Sequence, residues 1–158
     1  MPAVMRKSLI PLVLALAAGC GQEIGDSCVL STDCSTDGTR TCDSSTEGGY
    51  CTILGCDYNT CPDEAICVAF FSGGFVNKPC EVQTDCSLDE LCALDGHCVP
   101  RKSEQRNCMR TCESNDDCRD GYECRDIPLM IEHGGQPVLG PGLEIGDNTP
   151  KFCAAAPA

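Results

Sequence analysis

The chain has 158 residues, 17 of them cysteine, and carries 24 acidic against 11 basic side chains for a net charge of −13. That acidity argues against a nucleic-acid binder, which needs positive charge against phosphate. A cysteine share above roughly 8–10% marks a disulfide scaffold in an oxidising compartment. Four Phe, three Tyr and no Trp leave little for a large conventional core, because large aromatic side chains dominate burial. Small oxidised domains compensate with cross-links, each worth typically about 2–4 kcal/mol.

The chain opens with Arg6 and Lys7, then an apolar run from Leu9 to Ala18. The run is too short to span a bilayer, which takes about 20 residues, and fits the core of a secretory signal. It leads into Leu16-Ala17-Ala18-Gly19-Cys20. This resembles the lipobox of bacterial lipoproteins, with Ala17 where that family prefers Leu. The resemblance implies cleavage before Cys20 and a covalent diacylglycerol and N-acyl lipid on it. By the sorting rule of enteric bacteria, Gly21 as the next residue implies the outer membrane. The other reading is ordinary signal cleavage after Ala17. Parity bears on the choice: 17 is odd, and a secreted protein needs a use for an unpaired cysteine. Setting Cys20 aside leaves an even number. All 24 acidic residues but only nine basic ones follow the signal, so the mature chain is more acidic still.

After a short tether the cysteines set the pattern. Cys80-EVQTD-Cys86-SLDEL-Cys92-ALDGH-Cys98 is a regular ladder with five residues between successive cysteines. Cys28, Cys34, Cys42 and Cys51 form a looser copy, with Gly49-Tyr50-Cys51 parallel to Gly96-His97-Cys98. A second unit follows each: Cys56, Cys61 and Cys67 in one, Cys112, Cys118 and Cys124 in the other. An internal duplication explains this spacing. Cys80 could close one unit or open the next, Cys108 lacks a counterpart, and one bridge could join the units. Sixteen cysteines allow on the order of two million pairings, among which the sequence does not choose.

The expected fold is therefore small and disulfide-rich: two related cysteine-ladder halves of short β-ribbons and irregular loops, with little helix outside the signal peptide. The expected divisions are a lipoprotein signal over 1–19, a lipidated tether over 20–27, halves over 28–79 and 80–153, and a tail over 154–158. Segments of five residues are too short for stable helices, and one helical turn is expected near Leu88–Leu91. Arg101, Lys102, Arg106 and Arg110 read as an exposed linker. Val68 to Val76 holds Phe70, Phe71 and Phe75 around a Gly pair and reads as a β-hairpin. Ile127 to Leu139, with Gly134-Gly135 between apolar runs, matches it. Either hairpin could pack inward as core or expose an apolar tip to a partner.

The motif Cys-x5-Cys, with Asp before the second cysteine, resembles the repeats of the Dickkopf N-terminal type and EB or EGF-like modules. Cys80–Cys98 and Cys112–Cys124 carry it best. The whole chain is similar to cysteine-rich lipoproteins of myxobacteria and related soil bacteria. The resemblance implies an extracellular interaction module and assigns no residue roles.

Little points to chemistry. There is no Cys-x-x-Cys, and His97 and His133 are the two histidines, so a zinc ribbon lacks its spacing. No Gly-x-Ser-x-Gly nucleophile elbow occurs, and no catalytic constellation is expected. Asp116, Asp117, Asp120 and Glu123 cluster around Cys118 as a candidate weak calcium site, without an EF-hand pattern. No other cofactor is expected. The leading expectation is a membrane-anchored, extracytoplasmic, non-catalytic interaction or envelope-structural module of a bacterial cell envelope. Its candidate partner-binding residues are Phe70, Phe71 and Phe75. The alternative is a disulfide-rich protease inhibitor presenting a loop from 68–79 or 125–152.

Overall fold

The computed structural model describes residues 21–72 and 78–157. Its frame is an antiparallel sheet of five strands flanked by two small ribbons. In chain order, a single-turn helix α1 (Ser31–Cys34) precedes β1 (Thr41–Asp43) and β2 (Tyr50–Thr52), which pair as a ribbon. β3 (Ala65–Phe71) belongs to the large sheet, and β4 (Glu90–Cys92) and β5 (Cys98–Pro100) form the second ribbon. β6 (Glu104–Cys112), β7 (Tyr122–Arg125), helix α2 (Ile127–His133), β8 (Gln136–Pro137) and β9 (Lys151–Ala155) complete the chain. The five-stranded order is β7-β9-β6-β3-β8.

All sixteen cysteines from Cys28 to Cys153 are paired, and the pairing repeats one rule. In each group of four, the first joins the third and the second joins the fourth. Module one is Cys28–Cys42 with Cys34–Cys51. Module two is Cys56–Cys67 with Cys61–Cys108. Module three is Cys80–Cys92 with Cys86–Cys98. Module four is Cys112–Cys124 with Cys118–Cys153. Cys108 is thus the fourth cysteine of module two and the counterpart of Cys153. Cys80 opens module three and takes no part in module two. Module three lies wholly between the third and fourth cysteines of module two, and Cys61–Cys108 is the bridge that closes around it.

One local device recurs. The aspartate before the second cysteine turns its carboxylate back onto two backbone amides. Asp33 Oδ2 accepts from Val29 N and Leu30 N, both at 2.9 Å. Asp85 Oδ2 accepts from Glu81 N and Val82 N at 2.9 and 3.1 Å, and Asp117 Oδ2 from Glu113 N and Ser114 N at 2.8 and 3.0 Å. In module two Thr60 stands at that place, and its hydroxyl accepts from Asp57 N at 2.8 Å. An Asx-type cap of this kind turns the chain tightly enough to bring the second cysteine back toward the ribbon. The backbone bonds hold all three aspartates below their ordinary value of 3.8. A lowered folded pKa contributes stability that is complete above the unfolded value and lost as pH falls through the folded one. Carboxyl NMR titration is therefore expected to place Asp33, Asp85 and Asp117 below 3.8, and replacing all three by Asn should flatten the acid limb of the stability curve. Titration at or above the ordinary value would show that the caps do not hold in solution.

β6 is the spine of the molecule. It pairs with β3 in unbroken register from Ala65↔Arg110 to Phe71↔Glu104. Its other edge takes Ile53–Gly55 through Cys108 N→Ile53 O (3.0 Å) and Gly55 N→Arg106 O (2.8 Å), then β9 at Thr111↔Phe152. The basic run expected as a linker is therefore largely strand: Arg106 and Arg110 lie within β6, and Arg101 and Lys102 form a 3-10 turn just before it. The core lies against this sheet around Phe152, Ile24, Met130 and Val68, all buried. Tyr50 ties module one to β6 and to module four there, accepting from Arg110 N at 2.9 Å and donating to Cys153 O at 3.2 Å. Burial pushes the Tyr50 hydroxyl up to about 12.

Several local expectations are corrected. β3 is the strand half of the expected Val68–Val76 hairpin, but both its edges at Val68 and Ala69 are taken by the distant β6 and β8. The other half reaches into residues 73–77, which lie outside the described residues. Ile127–His133 is a helix rather than a strand. Asp126 caps it, with Oδ1 accepting from Leu129 N at 3.2 Å, and Pro128 sits in its first turn, where a missing N–H costs nothing. The helical turn expected near Leu88–Leu91 falls instead at Gln83–Asp85, where the Asp85 carboxylate holds the amides before it, while Ser87–Glu90 is a simple turn closed by Glu90 N→Ser87 O at 3.0 Å. Residues expected as tether pack onto the body: Ile24 is fully buried, Gly25 N bonds Cys51 O at 2.9 Å, and Glu23 pairs with Arg110 at 3.3 Å.

Candidate functional site

Phe70 and Phe71 end β3; Phe70 borders two clefts and Phe71 the second of them. The first, about 270 Å3, lies between the β1–β2 ribbon and the large sheet and includes Tyr50, Thr52, Phe70, Met109 and Tyr122. The second, about 260 Å3, lies between α2 and module three, with Phe71, Leu94, Val99, Ile131 and His133 among its walls. Both fall below the roughly 300–1,000 Å3 of a typical small-molecule site and suit a protruding side chain. A third hollow of about 360 Å3 at the start of β3 is walled by Tyr58, Pro62, Ile66 and Val138.

Phe70 is half-buried and meets Phe152 edge-on, with ring centroids 6.1 Å apart. Gly135 allows this approach. A Cβ there would stand 2.8 Å from both rings, at a φ of +87°. The two phenylalanines are thus cleft walls rather than a projecting tip. Phe75 lies outside the described residues, as does Cys20.

The proposed calcium ligands do not converge. Asp117 is committed to its two backbone amides. Asp116 and Asp117 share a shallow groove with the cationic Arg110, which disfavours a second cation by repulsion. Glu123 belongs to a different constellation: its Oε1 accepts from Arg125 Nε at 2.9 Å and lies 2.7 Å from His133 Nδ1. The cysteine clusters close enough to hold a metal consist of sulfurs already committed to bridges, joined in one case by Glu90.

Sequence reasoning missed that constellation. Arg125 is only 6% exposed. Its Nη1 donates to His133 O and Gly134 O at 2.9 and 2.8 Å, and its Nη2 to Ala155 O at 2.8 Å. It therefore satisfies the orphan carbonyls at the end of α2 and ties them to β9. The available signal was the alternation Glu123-Cys124-Arg125, since residues two apart share a face of a strand. Arg119 does similar work in module four. Its guanidinium lies 4.0 Å from the Tyr122 ring centroid and donates to Gly49 O and the Tyr122 hydroxyl. His97 is half-exposed near Asp95, 3.7 Å away.

Comparison with family models, curated protein sequences and solved structures returns no match.

Proposed function

We propose that this chain is an exported, lipid-anchored module of a bacterial envelope that acts by binding rather than by catalysis. The observation that carries the reading is the completeness of the pairing. Sixteen cysteines bond to one another, so none of them remains to bridge Cys20. That leaves the lipobox-like cysteine for acylation, and two or more acyl chains give a stable anchor. The eight bridges favour an oxidising, extracytoplasmic setting. The polar cluster Arg125–Glu123–His133 is tied up in holding backbone carbonyls, and Arg119 holds Gly49 O and the Tyr122 hydroxyl through Nη2. The Phe70–Phe71 clefts are the preferred contact surface for a protein partner, and Gly21 after the anchor favours the outer membrane.

Detergent phase partition of the protein expressed in a bacterial host tests the anchor. The wild type is expected in the detergent phase and Cys20→Ser in the aqueous phase, with the mass of the wild-type N-terminal peptide raised by its acyl groups. A mature wild type starting at an unmodified Ala18 and partitioning into water would overturn the reading.

A further inference from the structure

We infer that Val29 and Leu30 form an apolar wedge by which module one seats on the lipid surface. This rests on the lipid-anchor reading and adds an orientation to it.

Three observations support it. The two side chains are 82% and 62% exposed, and the fold asks nothing of them. The turn uses their backbone alone: both N–H groups are donated to Asp33 Oδ2, and Leu30 O accepts from Asp33 N at 2.9 Å. The same turn is built with Glu113 and Ser114 in module four and with Glu81 and Val82 in module three. In module two the equivalent pair is Asp57 and Tyr58. Module one thus presents two aliphatic side chains with no charge where each other module carries an acid.

Position is the second observation. Module one is the module next to the anchor. Gly21, which follows Cys20 in the sequence, packs within 3.4 Å of Cys34 O at the end of α1, measured from where its Cβ would stand. The preceding residue, Asp33, is the one that holds the amides of Val29 and Leu30. The following segment is fixed as well, by Arg40 donating to Gln22 O and by burial of Ile24. A chain anchored at Cys20 has almost no slack, so the turn carrying Val29 and Leu30 is held near the bilayer. Aliphatic side chains on such a face gain by entering the headgroup boundary.

The third is the direction of the spine. Glu23 pairs with Arg110 near the end of β6. Leu88, in module three, is held by Arg101 just before β6 begins, through Arg101 Nε→Leu88 O at 3.1 Å. Glu104 to Arg110 alone spans roughly 20 Å at strand rise. Leu88 is 99% exposed, so isolated exposure does not itself mark a membrane contact; it serves as the control at the far end. Phe71 pairs with Glu104 at that same end, so the cleft between α2 and module three faces away from the lipid.

The chain has no Trp, which makes the test direct. Leu30→Trp and Leu88→Trp are each prepared as the acylated mature protein. They are reconstituted into vesicles of phosphatidylethanolamine with a minor share of phosphatidylglycerol, brominated along the acyl chains. Flotation reports anchoring and bromine quenching reports depth. The expected result is that both variants float, the residue-30 indole loses more than half its emission, and the residue-88 indole loses almost none. Flotation with no greater quenching at 30 than at 88 overturns the wedge and leaves the anchor standing. Failure to float overturns the anchor and the wedge with it.

Discussion

Replacing Cys61 and Cys108 together by alanine is expected to lower the unfolding midpoint by about 12–16 °C, more than loss of any bridge within a ribbon. The two residues are 47 apart in sequence. Closing a loop of that length restricts the unfolded chain by an amount worth about 4 kcal/mol. Module three lies inside the loop and is itself cross-linked, which shortens the effective length and brings the figure to about 3–4 kcal/mol. For a chain of this size each kcal/mol moves the midpoint by about 4 °C. Cys108 is also fully buried, so its truncation leaves a void beside Cys67. Cys80–Cys92 closes 12 residues within module three, and its removal should loosen that module while the amides of β3 and β6 stay protected from hydrogen exchange. A calorimetric shift for the Cys61/Cys108 pair no larger than that for Cys80/Cys92 would deny Cys61–Cys108 its place as the main tie.

The second large effect is expected at Arg125. Leucine there should cost about 3–5 kcal/mol, the range for breaking a buried charged network by removing one partner. Glu123 would lose its 2.9 Å partner, and the carbonyls of His133, Gly134 and Ala155 would lose their donor. Urea denaturation reads the loss, and hydrogen exchange should localise it to α2 and β9. Arg106 is the comparison. It also bonds a glutamate two residues away, at 2.6 Å, but its side chain is 34% exposed. Arg106→Leu should cost under about 1 kcal/mol, as solvent-screened pairs do. Equal losses at the two sites would mean that burial is not what gives Arg125 its weight.

The ribbons were legible because they are local. Cys42↔Cys51 and Cys92↔Cys98 face each other across turns of a few polar residues and glycine, and short-range chemistry specifies such turns. That the sixteen cysteines after Cys20 could all pair also needed only counting. The β3–β6 pairing was not legible. Its partners are separated by a whole module, and nothing in the composition of Ala65–Phe71 selects Glu104–Cys112 over another strand. Cys108 looked unmatched for the same reason, since its counterpart had to be found across an insertion. α2 was lost to a competing signal. Gly134-Gly135 between apolar runs resembles a hairpin turn, while Asp126 and Pro128 are the start of a helix and had equal claim to be heard. The clefts could not be read at all, because their walls come from elements far apart in sequence.

The crossed bridges have one more consequence, which concerns covalent continuity. A cut peptide bond releases a fragment only where no bridge spans it. From Cys28 to Cys51 every bond is spanned, and the same holds from Cys56 to Cys108 and from Cys112 to Cys153. Between Cys28 and Cys153, a single nick divides the molecule only within the two short stretches that join these spans. One runs from Cys51 to Cys56 and lies along β6, with Thr52 buried and Ile53 and Gly55 bonded to it. The other is the end of β6 itself, Cys108 to Cys112, paired on both sides. A peptidase reaches a bond by drawing the chain out in extended form, and these segments are held in place as strands. The exposed loops, where cleavage is easiest, are the places where it severs nothing.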